Sequence, residues 1–169
     1  FLLEGEVSVG RNGKTLSKWQ ADPAHKWQDI LRMYLHAGQG LQAAHEAGLV
    51  HRDFKPDNVL IGEDGRPRVV DFGLARIQTK AGTFAHSAKL PAIPIPGRTN
   101  PLTTPLTQVG VVMGTPLYMS PEQHMGESAD WRSDQFSFCV ALYEALYKQL
   151  PFAGDTVEVL AFNAISGKV

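Results

Sequence analysis

The stretch "HRDFKPDNVL", residues 51–60, decides how this chain is interpreted. It sets a histidine, an arginine, two aspartates, a lysine and an asparagine around one proline, and it ends in an apolar pair. Any one of these polar residues alone is typical of a solvated loop. The combination, at this spacing and directly before an apolar run, indicates a site built for chemistry.

A β-hairpin is predicted directly after this stretch. Two short apolar runs, residues 58–61 and 68–70, are separated by turn residues that include "GEDGRP". Because a hairpin returns its strands side by side, we expect Asn58 at its start and Asp71 at its end to lie near each other. Oxygen ligands of this kind, few in number, suit a magnesium ion carried by the phosphates of a nucleotide.

The same residues suggest a reaction. If Asn58 and Asp71 hold the metal, Asp53 is left to orient a hydroxyl group and to take its proton. Lys55 would place a positive charge near the transferring phosphoryl group, where negative charge is concentrated. The set therefore predicts phosphoryl transfer to an alcohol, driven by positioning and electrostatics.

Composition limits the other classes of function. The chain has 169 residues and a net charge of −1, which predicts one domain and favours neither nucleic acid nor an anionic membrane as a partner. The single cysteine, Cys139, lies in the apolar run "FSFCVAL" and is expected to be a buried structural thiol. No apolar run reaches the roughly 18 to 20 residues that a membrane span needs, and no signal peptide begins the chain.

Hydrophobic periodicity gives the order of elements. Apolar spacing and capping residues predict helices over residues 15–20, 25–47, 131–147 and 156–165. Residues 78–110 are rich in proline, threonine and glycine, which predicts a long irregular loop. The predicted order is therefore helices, hairpin, long loop, helix and helix.

Three motifs carry a resemblance to a known family. "HRDFKPDN" resembles the catalytic loop of eukaryotic-type (Hanks-type) serine/threonine protein kinases, and "DFG" at 71–73 resembles their metal-binding triplet. "GTPLYMSPEQ" at 114–123 resembles the end of their activation segment, with Ser120 where many members have alanine. "SPEQ" and the helix that follows are most similar to the bacterial members. The resemblance implies an α+β fold: the large C-terminal lobe of a kinase, mainly helical, with a small β-hairpin at the catalytic site.

The resemblance implies a role for each residue of the site. Asp53 would be the catalytic base, and Lys55 would contact the γ-phosphate of ATP. Asn58 and Asp71 would hold Mg2+. Leu60 would form the floor under the adenine ring.

Other positions would support that site. Thr115 would bridge the base and the lysine and favour Ser/Thr acceptors. His51 and Phe72 would be packing pieces of the internal spine, and Asp134 would anchor the catalytic loop from a buried helix. Glu122 would normally pair with an arginine far downstream.

Regulation is implied at two positions. In the family, the arginine at the place of Arg52 often binds a phosphate on the activation segment, since a guanidinium pairs well with a phosphothreonine. Thr107 is the first candidate for that phosphothreonine, and Thr103 and Thr104 are the alternatives. A dimer of kinases is one route by which the loop would become phosphorylated.

Part of a kinase is missing from the sequence. The family covers ATP with a small β-rich lobe that carries a glycine-rich loop, a lysine and a glutamate. The glycines at the start, Gly5, Gly10 and Gly13, do not fit G-x-G-x-x-G. We therefore expect residues 1–169 to be a partial catalytic domain, with the N-terminal lobe and the last helices absent and residues 78–110 inserted in the activation segment. The chain starts at Phe1, which suggests a piece of a longer protein.

The implied partners are ATP, Mg2+ and a protein with a Ser/Thr acceptor, with no nucleic acid and no membrane contact from this segment. We expect a cytoplasmic kinase domain that acts in bacterial signal transduction. If the parent protein has a membrane anchor, that anchor would lie outside this segment. The fragment alone is expected to be inactive.

Two alternatives stay open from the residues alone. One is a small-molecule phosphotransferase of the aminoglycoside kind, against which Lys55, Thr115 and the "SPE" segment argue. The other is a non-catalytic pseudokinase or docking module, against which the intact Asp53, Asn58 and Asp71 argue.

Overall fold

In the computed structural model the chain is described over residues 14–72, 76–77 and 116–169. These residues form helices and small antiparallel sheets, with helix predominating, which confirms the α+β class. The helices are α1 (Leu16–Gln20), α2 (Trp27–Glu46), α3 (Pro121–His124), α4 (Trp131–Tyr147) and α5 (Val157–Ser166). The strands are β1 (Lys14–Thr15), β2 (Leu49–Val50), β3 (Val59–Ile61), β4 (Pro67–Val69) and β5 (Arg76–Ile77). The predicted loop at 78–110 lies outside the described residues.

Helix α2 forms close to where its pattern predicts. Its start is stabilised by the carboxylate of Asp29, which accepts a hydrogen bond from the backbone N–H of Lys26 at 3.0 Å. Buried residues recur at every third or fourth position along the helix. Beyond its C-terminal end, Gly48 adopts a left-handed φ of 79°. The buried residues of this helix are Ile30, Tyr34, Ala37 and Leu41.

Helix α4 matches its predicted bounds and packs against α2 at the centre of the molecule. Asp130 caps its start by accepting from the N–H of Arg132 at 2.8 Å. The hydroxyl of Tyr34 donates to the carbonyl of Ala141 at 2.9 Å, which ties the two helices together in the core. The prediction for Cys139 is wrong, because its side chain is exposed. It projects about 200° around the helix from the buried Ser137, so the apolar sequence around it does not place it in the core.

The predicted hairpin is present and is part of a larger sheet. Strands β3 and β4 pair antiparallel, with Val59 opposite Val69. Strand β1 adds to the other side of β3, with Thr15 opposite Leu60. Asn58 does not begin the strand as predicted, because Pro56 starts a 3₁₀ turn that ends at Asn58. The sheet therefore brings the two ends of the hairpin next to each other, and its strand β4 packs against α2.

Two smaller features were not predicted. Strand β2 pairs antiparallel with β5. The backbone just before residues 51–60, the predicted catalytic stretch, is therefore joined to the backbone just after the "DFG" motif. A short helix, α3, begins after Ser120, where Pro121 occupies the first turn. Among the described residues, no helix is long and apolar enough to cross a membrane.

Candidate active site

Asp53 is the centre of the site, and its carboxylate is held on one side. The Nζ of Lys55 lies 3.0 Å from Oδ2 of Asp53, and the side-chain amide of Asn58 donates to the same oxygen at 3.2 Å. The amide of Asn58 also donates to the backbone carbonyl of Asp53 at 2.8 Å. Among the described residues, these contacts of the carboxylate use Oδ2 and not Oδ1.

Asp71 follows strand β4 and lies beside Asn58 through the backbone. The N–H of Val70 donates to the carbonyl of Asn58 at 2.9 Å, which brings the ends of the hairpin together as the sequence predicts. Asp71 has a φ of 67°, a left-handed conformation that is costly for a residue with a side chain. Such strain often collects at functional sites, and here it falls on a carboxylate with an exposed side chain.

His51 is fully buried and holds the backbone of the catalytic stretch. Its Nε2 lies 2.8 Å from the carbonyl of Val70, and its Nδ1 accepts from the N–H of Asp53 at 3.2 Å. Because one ring nitrogen faces an acceptor and the other faces a donor, these contacts require the neutral ring protonated at Nε2. The ring centroid also lies 4.7 Å from that of Phe72, so both residues lie where packing pieces are expected.

Asp134 is fully buried in α4 and binds the start of the catalytic stretch. Its Oδ2 accepts from the N–H of His51 at 2.7 Å, and its Oδ1 accepts from the N–H of Arg52 at 2.6 Å. The Nε2 of His45 lies 2.7 Å from Oδ2. The backbone of Arg52 has a φ of 68°, a strained conformation that costs about 1–3 kcal/mol and needs such support.

The segment that ends the activation region is joined to α4. The hydroxyl of Ser133 donates to the carboxylate of Glu122. Burial is the largest single influence on the pKa of Glu122 and raises it, but the hydrogen bonds from Ser133, from the backbone N–H of Glu122 and from Ser120 together lower the pKa below its ordinary value. The hydroxyl of Tyr118 donates to Glu144 at 2.6 Å. Thr107 and Thr115 lie outside the described residues, so their predicted roles stay predictions.

Comparison with known proteins identifies this arrangement. The family profile described as "Protein kinase domain" matches residues 10–167. The chain belongs to the protein kinase domain family. The kinase domain is 38% identical to the serine/threonine-protein kinase PknL of Mycobacterium tuberculosis over 169 residues, which is 100% of this chain and 36% of that protein. It is 39% identical to the serine/threonine-protein kinase PknA of the same species over 135 residues, 80% of this chain and 26% of that protein.

These relatives place the kinase domain among the bacterial Hanks-type serine/threonine kinases, as its motifs predict. The chain spans about a third of the length of PknL and about a quarter of PknA, the curated relatives compared.

The site of the kinase domain fits the divalent metal and ATP that its family implies. Both hydrogen bonds of the Asn58 side chain are made by its Nδ2, which leaves its Oδ1 turned away from Asp53. An amide oxygen and the carboxylate of Asp71 are the hard ligands that Mg2+ accepts beside phosphate oxygens and water. Leu60 lies half-buried in the middle of β3, between Thr15 and Arg68.

Two residues of the kinase domain's site, His45 and Gln123, were missed from the sequence. His45 precedes the catalytic stretch without a local signal for its contact with Asp134, 89 residues away. Gln123 donates to the carbonyl of Arg52 at 2.7 Å. The S-x-x-Q pattern of Ser120 and Gln123 is a helix-start signature that could have indicated α3, but it carries no signal for the contact of Gln123 with Arg52.

Proposed function

We propose that the gene product containing this kinase domain transfers the γ-phosphoryl group of ATP to serine and threonine hydroxyls of proteins. The observation that carries the proposal is the arrangement of Asp53: Lys55 and Asn58 both contact Oδ2, and within the described part of the chain no contact occupies Oδ1, the oxygen that would meet the acceptor hydroxyl. The motifs at 51–58, 71–73 and 114–123 and the similarity to PknL and PknA support a protein acceptor.

Asp53 would accept the proton of the acceptor hydroxyl as the hydroxyl oxygen bonds to the γ-phosphorus and the bond to the bridging oxygen of ADP breaks. Lys55 would hold the carboxylate in place and put a positive charge beside the transferring group. Asn58 and Asp71 would hold Mg2+, which when bound neutralises charge on the phosphates. Leu60 would contact the adenine ring, and Thr115 would favour Ser/Thr acceptors.

We further propose that residues 1–169 supply the larger lobe of the kinase domain, with residues 78–110 as an insert in the activation segment. The sequence contains no G-x-G-x-x-G run, so the loop that covers ATP in this family would come from elsewhere in the gene product. We propose that the domain works in the cytoplasm, where ATP is available. The 169-residue chain alone would be inactive.

Phosphoryl transfer tests the proposal. The native gene product should transfer label from ATP to a generic protein substrate, and Asp53→Asn should lower kcat by about 100-fold or more. Asp155→Asn, the same change at an exposed position, is the matched control and should leave kcat unchanged. Transfer to an aminoglycoside but to no protein would support the small-molecule alternative, and ATP-independent partner binding without transfer would support the docking alternative.

Regulation by phosphorylation is a second part of the proposal. Arg52 would bind a phosphate on Thr107, placed there by a second kinase molecule, because a phosphothreonine adds nearly two negative charges. Mapping of the phosphorylated residues after incubation of the gene product with ATP tests this. A phosphorylated activation segment in which Thr107 is unmodified would contradict it.

A further inference from the structure

The peptide unit between Arg52 and Asp53 is held at both of its polar ends. Its carbonyl, on Arg52, accepts from Nε2 of Gln123 at 2.7 Å. Its N–H, on Asp53, donates to Nδ1 of His51 at 3.2 Å. Because a peptide unit is planar, contacts at both ends fix its orientation and therefore the direction in which Asp53 leaves the backbone.

This orientation would otherwise be unfavourable. Arg52 has a φ of 68°, and a non-glycine residue in this region persists only when its surroundings hold it there. Asp134 holds the N–H of Arg52 at 2.6 Å, on one side of the strained residue. Gln123 holds the carbonyl on the other side.

The amide of Gln123 can point only one way. Its Oε1 accepts from both the N–H and the hydroxyl of Ser120, each at 3.1 Å. Because the N–H of Ser120 is only a donor and the carbonyl of Arg52 is only an acceptor, exchanging the amide oxygen and nitrogen would break both of these contacts. One side chain therefore joins the start of α3 to the residue before Asp53, across 71 positions of sequence.

The start of α3 does not by itself require glutamine. A glutamate at the same position completes the same capping box, and its negative charge suits the start of a helix. What glutamate lacks when ionised is a donor for the carbonyl of Arg52. The choice of glutamine is explained by the second contact.

We infer that Gln123 is a positioning residue for phosphoryl transfer: it sets the peptide plane that aims Asp53 and makes that aim depend on where α3 sits. The inference rests on the proposed kinase activity. Gln123 thereby links Ser120, at the start of α3, to the backbone directly before Asp53.

Gln123→Glu in the native gene product separates the two roles of the side chain. Glutamate keeps an acceptor for Ser120 but sets a second oxygen against the carbonyl of Arg52. We expect kcat to fall by about tenfold or more, since a small misplacement of a catalytic group is costly, while KM for ATP is unchanged. The thermal melting temperature should fall by only a few degrees, because the cap of α3 is kept and the carbonyl of Arg52 alone loses its donor. The matched control is Gln135→Glu, the same change at an exposed position of α4, which should leave kcat unchanged.

The pH dependence of kcat distinguishes a positioning role of Gln123 from a role in capping α3 alone. Once protonated, the glutamate introduced by Gln123→Glu carries an O–H that donates to the carbonyl of Arg52. A part-buried carboxylate set against that carbonyl takes up its proton above the ordinary glutamate pKa of about 4.3, so the ratio of kcat for Gln123→Glu to that of the wild type should rise as pH falls from about 8 to about 5. If this variant is unfolded at the assay temperature, Gln123→Met replaces it. Methionine has no donor, so kcat should fall without any recovery at low pH.

The outcomes keep the two claims apart. A wild-type gene product that transfers no phosphate to protein overturns the proposed function, whatever Gln123 does. With an active wild type, a folded Gln123→Glu or Gln123→Met variant of unchanged kcat overturns the positioning role. The positioning role is also overturned if kcat of Gln123→Glu is low but its ratio to the wild-type kcat does not change with pH.

Discussion

The carboxylate of Asp134 lies 2.6 Å from the backbone nitrogen of Arg52, although 82 residues separate the two in sequence. The aspartate is fully buried in α4, and it also accepts from the N–H of His51 and contacts the ring of His45. A buried helix thereby holds a strained backbone one residue before the proposed catalytic base. The same carboxylate contributes both to the stability of the core and to the geometry of the site.

Replacing Asp134 by asparagine should therefore destabilise the protein. One of the carboxylate oxygens becomes an NH2 group that faces an N–H donor, which leaves a buried polar group unsatisfied. We expect the free energy of unfolding to fall by about 3 kcal/mol, measured by urea denaturation. Asp130→Asn is the matched control, since asparagine caps a helix as well as aspartate does and should change the stability by less than about 0.5 kcal/mol. Equal losses in the two variants would contradict the role given to Asp134.

The hydroxyl of Tyr34 offers a second test of how α2 and α4 are joined. Tyr34 is 1% exposed, and its hydroxyl donates to the carbonyl of Ala141 at 2.9 Å. Tyr34→Phe keeps the ring but removes the contacts of the hydroxyl with the carbonyl of Ala141 and with Oε1 of Gln20, which should cost about 1–2 kcal/mol of unfolding free energy. Tyr147→Phe removes a hydroxyl from a residue that is 63% exposed and should cost nothing measurable. A Tyr34→Phe variant as stable as the wild type would show that the hydroxyl does not contribute to this contact.

Local signals explain which parts of the fold could be predicted. Helix α4 was predicted with its observed bounds because Asp130 caps it and apolar residues repeat through it. The site residues of the catalytic stretch were predicted because they are close in sequence and their spacing carries the chemistry. The exposed Cys139 shows the limit of this approach, since an apolar neighbourhood does not say which way a helical side chain points.

Residue patterns alone did not predict contacts between distant residues, and the contact expected at Asp134 came from the family resemblance. Strand β1 is two residues long and forms only because β3 offers it an edge, with Lys14 opposite Ile61. The contacts of His45 with Asp134 and of Gln123 with Arg52 span 89 and 71 residues. Neither has a sequence pattern, because each depends on how whole helices pack.

His124 should make the stability of the protein depend on pH. Its side chain is 2% exposed in α3, and its Nδ1 has no hydrogen-bond partner among the described residues. Burial lowers the pKa of His124 below its ordinary value of 6.5, because a charged ring would lose its hydration. The unfolded chain therefore binds a proton near pH 6.5 that the folded chain binds only at lower pH.

The sign of the effect follows from this difference. Above pH 6.5 the ring is neutral in both states, and its full contribution to stability is present. As pH falls below that value the unfolded state gains the proton first, so the free energy of unfolding decreases until the folded pKa is passed. Urea denaturation from about pH 7.5 to about pH 5.5 should show this loss, and His124→Leu should reduce the slope. His36→Gln, which changes an exposed histidine, should keep the wild-type slope, and a His124→Leu variant with that same slope would refute the assignment.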